Sequence, residues 1–396
     1  MDAKEMIAAT VSDARERLTG LSHRLHAHPE VAWAEERAAA WVAAELAGAG
    51  FDVEASACGL PTAFIARTGS GPLHVGICAE YDALPGLGHA CGHNIIAASA
   101  VGAGLALAAV ADDLGLTVSV LGTPAEEGGG GKIYMLERGA FARVHAAMMV
   151  HPGPVDVAEA RPFAVSHLKI RYRGKASHAA AYPEQGVNAA DAFTVAQVAI
   201  GLLRQQLPAS TRVHGIVTQG GDAPNAIPEQ TEGRWYVRAA TLGALAGIEP
   251  RVRRCFEGGA LATGCELEIE QEAPPYAEFR NDPGLLPLYR ANAERLGRRF
   301  APAGSDGLSD AGRMNRASTD MGNVSLALPA IHPYIGIGSL PAVNHQKEFA
   351  AACVTPAADA ALADGAIALA WTAADAARDD GLRQRLTAGS AGPGPG

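Results

Sequence analysis

The β-type run Leu73-His74-Val75-Gly76-Ile77-Cys78 leads into Ala79-Glu80-Tyr81-Asp82-Ala83-Leu84-Pro85-Gly86-Leu87-Gly88-His89-Ala90-Cys91-Gly92-His93-Asn94, a loop that opens directly into the apolar stretch Ile95 to Ala111. With Ser99, Gly102 and Gly104 inside it, that stretch falls just short of a membrane span and reads as a helix buried against a sheet. Further β-type runs are Thr62–Arg67, Thr117–Leu121 and Ala146–Val150. Met6–His28 and Glu35–Ala49 carry helical spacing, the second ending at Gly50. Strands alternating with helices predict an α/β domain with a mostly parallel sheet covered on both faces. In such sheets ligands gather at the C-terminal ends of strands. Glu80–Asp82, Glu126–Glu127 and His151 each directly follow a predicted strand.

From about Phe163 the order changes to strand Val165–Tyr172, helix Asn188–Leu207, strands Arg212–Gln219 and Arg234–Arg238, helix Leu245–Gly258 and strand Glu266–Gln271. This β-α-β-β-α-β order is the split βαβ, or ferredoxin-like, motif. It predicts an inserted α+β domain over 163–274, the chain returning to the large domain near Pro274–Pro275. The large domain then comprises 1–162 and 275–386, and the Gly/Pro/Ser-rich tail 387–396 is expected to be disordered.

A chain of 396 residues with 48% hydrophobic residues supports two cores. The net charge of −10 argues against non-specific nucleic-acid binding, since there is no basic excess to displace phosphate counterions. Six scattered cysteines fit no disulfide framework. Met1 to Arg17 carries acids and bases throughout, without the apolar run of a signal peptide. A cytoplasmic protein with no membrane segment is the expectation.

Thiolate and imidazole suit zinc and similar borderline metals. Cys91 and His93 are two residues apart, which suits a loop or a helix start rather than one helix face. Taken alone, the pair reads as a buried structural cysteine beside a surface histidine. In Thr123-Pro124-Ala125-Glu126-Glu127-Gly128-Gly129-Gly130-Gly131-Lys132, one carboxylate can bind metal while its neighbour acts as general base. As an isolated segment it divides evenly between that reading and a flexible acidic turn. It is not a phosphate loop, because Ile133 stands where Ser or Thr is needed and no glycine occupies position 126. His151 and His345 are lone histidines and persuade only in company. His23, His26, His28, His145, His214 and His332 read as structural or surface residues. No Gly-x-Ser-x-Gly elbow, His-Glu-x-x-His helix or Cys-x-x-Cys pair is present. A Cys91 nucleophile with His93 as base is geometrically strained at this spacing.

Several motifs together resemble the metallopeptidase family that contains aminoacylases, hippurate hydrolases, aminobenzoyl-glutamate hydrolases and plant indole-acetyl amino acid hydrolases. They are Arg24-Leu25-His26-Ala27-His28-Pro29-Glu30, the Asp82-to-His93 stretch, Thr123 to Glu127 and His151-Pro152. Gly174-Lys175-Ala176-Ser177-His178-Ala179, Ala223-Pro224-Asn225-Ala226-Ile227-Pro228, Ser318-Thr319-Asp320-Met321-Gly322-Asn323 and the His345 loop complete the set, from Leu21 to Ala350. The resemblance implies two divalent ions held by Cys91, His93, Glu127, His151 and His345, with Asp82 orienting a ligand. The thiolate favours zinc, while manganese, cobalt or nickel are alternatives. It also implies Glu126 as general base, with His178 and Asn225 in the small domain stabilising the substrate carbonyl or carboxylate. In relatives that domain pairs two subunits, so a homodimer or higher homo-oligomer is expected. Cys91-Gly92-His93-Asn94-Ile95-Ile96 and Glu80-Tyr81-Asp82 depart from the common Cys-Gly-His-Asp-x-His and Asp-x-Asp. Both resemble the aminobenzoyl-glutamate hydrolase and unusual-dipeptidase branch.

The expected activity is hydrolysis of the amide bond of an N-acyl amino acid or dipeptide with a free carboxylate. An N-carbamoyl amino acid amidohydrolase is the alternative chemistry, and a silent ligand-binding protein on the same fold the alternative class. The retention of Glu126 argues against the second. Arg234, Arg238 and Arg313 are candidates for the substrate carboxylate, although each taken singly reads as exposed or structural.

Overall fold

The computed structural model describes residues 2–300 and 317–388. The chain divides into two compact units, the first made of residues through Pro162 and from Phe279 onward, the second of Phe163–Glu278.

The first unit opens with helices α1 (Ala3–Asp13), α2 (Arg15–Ala27) and α3 (Glu36–Ala47). Strands β1 (Asp52–Ala55), β2 (Phe64–Gly69) and β3 (Leu73–Ala79) follow, then helices α4 (His93–Ala108) and α5 (Ala111–Leu114). Strand β4 (Leu116–Gly122), helix α6 (Gly131–Glu137) and strands β5 (Ala146–Met148) and β6 (His151–Gly153) complete its first segment. The predicted helix Met6–His28 is two helices, because Ala14 caps the end of α1 and the start of α2. No glycine or proline marks that break, so the spacing carried no sign of it.

The sheet order is β1-β2-β4-β3-β5, with β11 (Ala330–Ile331) at the far edge. β3, β4, β5 and β11 are mutually parallel, while β2 joins β4, and β1 joins β2, in antiparallel register. Alternation along the parallel strands fills two cores. Val75, Ile77, Val120 and Met148 face one side with α4, whereas Cys78, Leu121, Ala147 and Met149 face the other with Met135 and Val324. The run predicted as Ala146–Val150 stops at Met148, and the chain steps into a second, two-stranded sheet in which His151 pairs with Tyr334 of β12 (Tyr334–Gly336).

The second unit is a four-stranded antiparallel sheet in the order β10-β7-β9-β8. Its elements run β7 (Ala164–Arg173), α7 (Ala189–Leu203), β8 (Arg212–Gln219), β9 (Gln230–Ala239), α8 (Leu242–Thr263) and β10 (Glu266–Tyr276). Phe193 and Ile200 of α7 and Val252 and Phe256 of α8 pack on Leu168, Ile170, Trp235 and Val237 of the sheet. β10 continues through Pro274–Pro275 to pair Tyr276 with Val165, so this unit ends at Glu278 rather than near residue 274.

The first unit resumes with α9 (Leu285–Arg295) and α10 (Met321–Ala327), and after β12 with α11 (Lys347–Ala352), α12 (Pro356–Arg378) and α13 (Asp380–Ala388). Thr387 and Ala388, expected in a disordered tail, form the last turn of α13, where the Thr387 hydroxyl donates to Arg383 O at 3.0 Å. The rest of that tail lies outside the described residues.

α4 is buried on every side through Leu107, which is why it reads as apolar all round. Gly102 lets α12 and α2 approach it, since a Cβ there would lie 2.9 Å from Ala366 Cβ and 2.9 Å from Leu18 Cδ1. Gly102→Val is expected to lower the urea midpoint by an equivalent of about 1–3 kcal/mol with the m value unchanged. An unchanged midpoint would show that this contact yields.

Candidate metal centre

β3 and β4 lie in parallel register with Ala79 opposite Gly122, so the segments that follow them start side by side. Glu80 and Asp82 come off β3, Glu126 and Glu127 off β4, and His151 after β5. Cys91 sits in the turn before α4, and His93 is the first residue of that helix. The loop-or-helix-start reading of their spacing is what the backbone adopts. Between them Gly92 has φ +84°, a left-handed conformation that L side chains rarely take, and a Cβ there would meet Pro152 Cγ at 2.4 Å. Only glycine lets Cys91 lie so close to the His151-Pro152 strand.

The donor atoms converge. Cys91 Sγ is 3.5 Å from His151 Nε2, and Glu127 Oε1 is 3.8 Å from His93 Nε2 and 3.6 Å from His345 Nε2. Cys91 groups with His93 and His151 on one side and with Glu127 and His345 on the other, so the thiol is common to both sets. Donors of one tetrahedral ion with bonds of 2.0–2.3 Å stand roughly 3.3–3.8 Å apart, and these separations match.

Hydrogen bonds aim the rings. His93 Nδ1 pairs with Asp82 Oδ1 at 3.0 Å, and Asp82 Oδ2 accepts from the Glu127 amide at 2.9 Å. His151 Nδ1 pairs with Pro152 O at 2.8 Å. With each Nδ1–H donating, the Nε2 lone pairs are directed at the cluster. His93 Nε2 and Glu127 Oε1 are buried without a hydrogen-bond partner among the described residues. Buried polar atoms are rarely left so, and a divalent cation between them would satisfy both.

The electrostatics agree. Glu80 and Asp320 share the buried ammonium of Lys132, with Glu126 adding to the negative charge near it, while Asp82, Glu127 and the Cys91 thiol lie in the same cluster. Burial, followed by the charges of Glu80 and Glu127, raises the Glu126 pKa well above the usual carboxylate range. Burial, then Glu127, lifts the Cys91 thiol well above its ordinary value. Burial opposes charge on His93, but the Asp82 carboxylate and its hydrogen bond outweigh that and raise its pKa. Burial lowers the pKa of His151, and His332 adds to the effect. Divalent ions would relieve this excess of negative charge. The residues fit the ions that the resemblance implies.

Glu35, absent from the sequence reading as a site residue, holds the Glu126 loop. Its Oε1 accepts from the Ala125 amide at 2.8 Å and its Oε2 from the Thr62 hydroxyl at 3.0 Å, while Ala125 takes φ 56°. Burial, then the Asp82 charge, pushes its pKa up to about 7 from 4.5. As pH rises, the unfolded chain releases this proton first. Stability from protonated Glu35 is therefore complete below about pH 4.5 and lost as pH approaches 7. In metal-free protein, Glu35→Gln should gain on wild type over that window by up to about 3 kcal/mol. Urea midpoints at the two ends of the window measure it, and parallel curves would refute it.

The other predicted residues lie as follows. His178 and Asn225 belong to the second unit, where Ala179 N donates to Asn225 O at 3.0 Å and His178 bridges to Ala226. Arg234 pairs with Glu272 at 2.9 Å and Arg238 Nε donates to His214 Nε2 at 3.2 Å, while Arg313 lies outside the described residues. His332, read as a structural or surface residue, is buried, with its ring centroid 5.5 Å from that of His151. Lys132, set aside with the phosphate-loop reading, is wholly buried between Glu80 and Asp320. A lysine following glycines and preceding an apolar Ile-Tyr-Met-Leu run was the available signal.

A mostly parallel sheet delivering carboxylates, imidazoles and a thiol to one end defines a metallohydrolase of the two-domain peptidase type. The model of peptidase family M20/M25/M40 matches residues 76–343, and the chain belongs to that family. The mouse (Mus musculus) Xaa-Arg dipeptidase is 41% identical over 389 residues, covering 94% of this chain and 88% of the relative. A p-aminobenzoyl-glutamate hydrolase polypeptide of Escherichia coli (strain K12) is 34% identical over 275 residues, 64% of this chain and 57% of the relative. Among solved structures, the Bacillus subtilis YXEP protein, a dinuclear metal binding peptidase, superposes with TM-score 0.60 at 23% identity, covering 90% of this chain and 98% of that one.

Proposed function

We propose that this chain hydrolyses the peptide bond of dipeptides or N-acyl amino acids that retain a free carboxylate, with dipeptides ending in arginine the first candidates. The observation carrying this is identity of 41% to an Xaa-Arg dipeptidase across 94% of the chain, joined to a donor set within bonding reach of common ions. Cys91, His93, Glu127, His151 and His345 are proposed to hold two divalent ions, for which a thiolate among imidazoles favours zinc over manganese, cobalt or nickel. When bound, the ions supply Lewis acidity toward the carbonyl and make water more acidic.

Glu126 is the proposed general base. It takes a proton from the attacking water as oxygen bonds to the carbonyl carbon. It returns that proton to the nitrogen as the carbon–nitrogen bond breaks, leaving acid and amine. A carboxyl whose pKa is raised by burial and by Glu80 and Glu127 accepts and returns a proton more readily than an exposed one. Asp82 holds His93 and the Glu127 backbone in place. His178 and Asn225 are proposed substrate-binding residues on the strength of their motifs. All six cysteines are free, which supports a cytoplasmic location. A homodimer is the proposed assembly.

Glu126→Gln should lower kcat on an Xaa-Arg dipeptide by about 10²–10⁴-fold while metal content stays at the wild-type level. Panels of dipeptides, N-acyl and N-carbamoyl amino acids, assayed with metal analysis, test the reading. Turnover confined to N-carbamoyl substrates would replace it with the carbamoylase alternative. Equal inactivity of wild type and variant, with ligand binding intact, would favour a binding protein. Cys91→Ser should reduce bound metal and activity together, and an unchanged metal content would remove the thiol from the donor set.

A further inference from the structure

Glu80 is wholly buried where the chain leaves β3. Its Oε1 accepts from Lys132 Nζ at 2.5 Å. Lys132 Nζ also donates to Asp320 Oδ1 at 2.8 Å, and the Lys132 amide donates to Asp320 Oδ2 at 2.8 Å. The three side chains are 0% exposed, so the carboxylate has one orientation, locked from behind. Its other oxygen, Oε2, has no hydrogen-bond partner among the described residues and lies 3.6 Å from His93 Nε2, which has none either. Because His93 Nδ1 is committed to Asp82, a neutral His93 ring would offer its Nε2 lone pair to an ion. Two buried polar atoms therefore face each other at 3.6 Å, too far apart for a hydrogen bond, and each lacks a partner among the described residues. An unsatisfied buried acceptor costs about 1–3 kcal/mol, and a charged one more. Glu126 completes the group, with one atom from each of Glu80, His93 and Glu126 lying within 4.8 Å of the others.

We propose that Glu80 is a further protein donor to the divalent ion on His93, beyond the five residues named above. Lys132 and Asp320 are positioning residues: they hold Oε1 and leave Oε2 for the ion. This rests on the reading of the cluster as a divalent-metal site. Lys132 cancels only part of the negative charge at Glu80, because Asp320 shares the same ammonium. The free oxygen of Glu80 thus faces His93 Nε2 without a hydrogen bond. A divalent cation between them would satisfy both atoms at once.

The test is metal binding rather than turnover. Metal-stripped wild type, Glu80→Gln and Glu80→Asp are titrated with zinc against a chromophoric chelator, with stoichiometry by mass spectrometry and ligand-field spectra of the cobalt(II) forms. Wild type should take two ions. Glu80→Gln should weaken one of them by about 10–100-fold and alter one cobalt band set, the other ion staying put. Glu80→Asp keeps the charge for Lys132 but is shorter by one methylene, and should show the same loss with metal-free stability near wild type. Two ions at wild-type affinity in both variants, with only the metal-free melting temperature lowered, would make Glu80 solely the partner of Lys132 and overturn the proposal. Should neither variant fold, a crystal structure of zinc-loaded wild type decides: Glu80 Oε2 at about 2.0–2.2 Å from an ion sustains it, and no ion in its reach ends it. If wild type binds no divalent ion at all, the reading of the site fails with it, an outcome distinct from losing Glu80 alone.

Discussion

Asp82 links the two halves of the cluster through one carboxylate. One oxygen takes the His93 ring at the head of α4, and the other takes the Glu127 amide in the loop after β4. Burial alone would raise its pKa. The charge and hydrogen bond of His93, together with the Glu127 amide, hold it below the usual range, so it stays ionised at neutral pH. The ring that presents Nε2 and the backbone that carries Glu127 are thereby fixed against a single group. Without it, neither donor would have a reason to point inward.

That arrangement concentrates charge where a protein interior tolerates it least. Glu80, Asp82, His93, Lys132 and Asp320 are at most 1% exposed, and burial pushes the Asp320 carboxyl up to about 6. Buried charges cost several kcal/mol each unless paired, and hydrophobic residues of equal volume would often serve stability better. Their presence fits the proposed site, in which each would contribute either a donor atom or the orientation of one. The surrounding shell is correspondingly inert. Ile96, Ala97, Ala98 and Val101 of α4 supply apolar packing, and the polar side chains beside them on that helix are held by hydrogen bonds, Asn94 Nδ2 donating to Ser22 Oγ and Ser99 Oγ to Leu362 O.

The fold was legible because periodicity reports burial. The runs at Leu73–Cys78 and Thr117–Leu121 lie within β3 and β4, and the apolar stretch after Cys91 is α4. Patterning said less where a structural change leaves the hydrophobic period intact, as at Ala14 between α1 and α2, or at Val150, where one strand run divides between two sheets. The residues proposed as donors stood out in the predicted loops by chemical type. Cys91, His93, Glu127, His151 and His345 come together in the structure, although Cys91 and His345 are separated by most of the chain. Glu35 and Lys132 escaped notice because their importance lies in partners that no spacing reveals: a backbone amide ninety positions away for Glu35, and Asp320 for Lys132. A buried histidine such as His332 looks the same in sequence as a surface one.

The cluster also depends on late chain segments, and this constrains how it forms. His151 is placed by β6, whose partner in its sheet is β12, and β11 and β12 step together from the edge of the main sheet into the small one alongside β5 and β6. His345 is held by its amide, which donates to Ala90 O at 2.8 Å, with φ 70° turning its ring toward Glu127. Both contacts cross the full sequence of the second unit. The first segment of the large unit can thus provide Cys91, His93 and Glu127, but not a complete site, until residues beyond Ala330 have docked. If the proposed ligands hold the ions, their distance in sequence makes metal affinity a measure of tertiary completion. An ion that binds only the folded form stabilises it by mass action, and here that stabilisation acts on the packing of β11 and β12 against β5 and β6. The buried charges weaken the unit without ions. With ions on the proposed ligands, the same charges would fasten its two separated segments together.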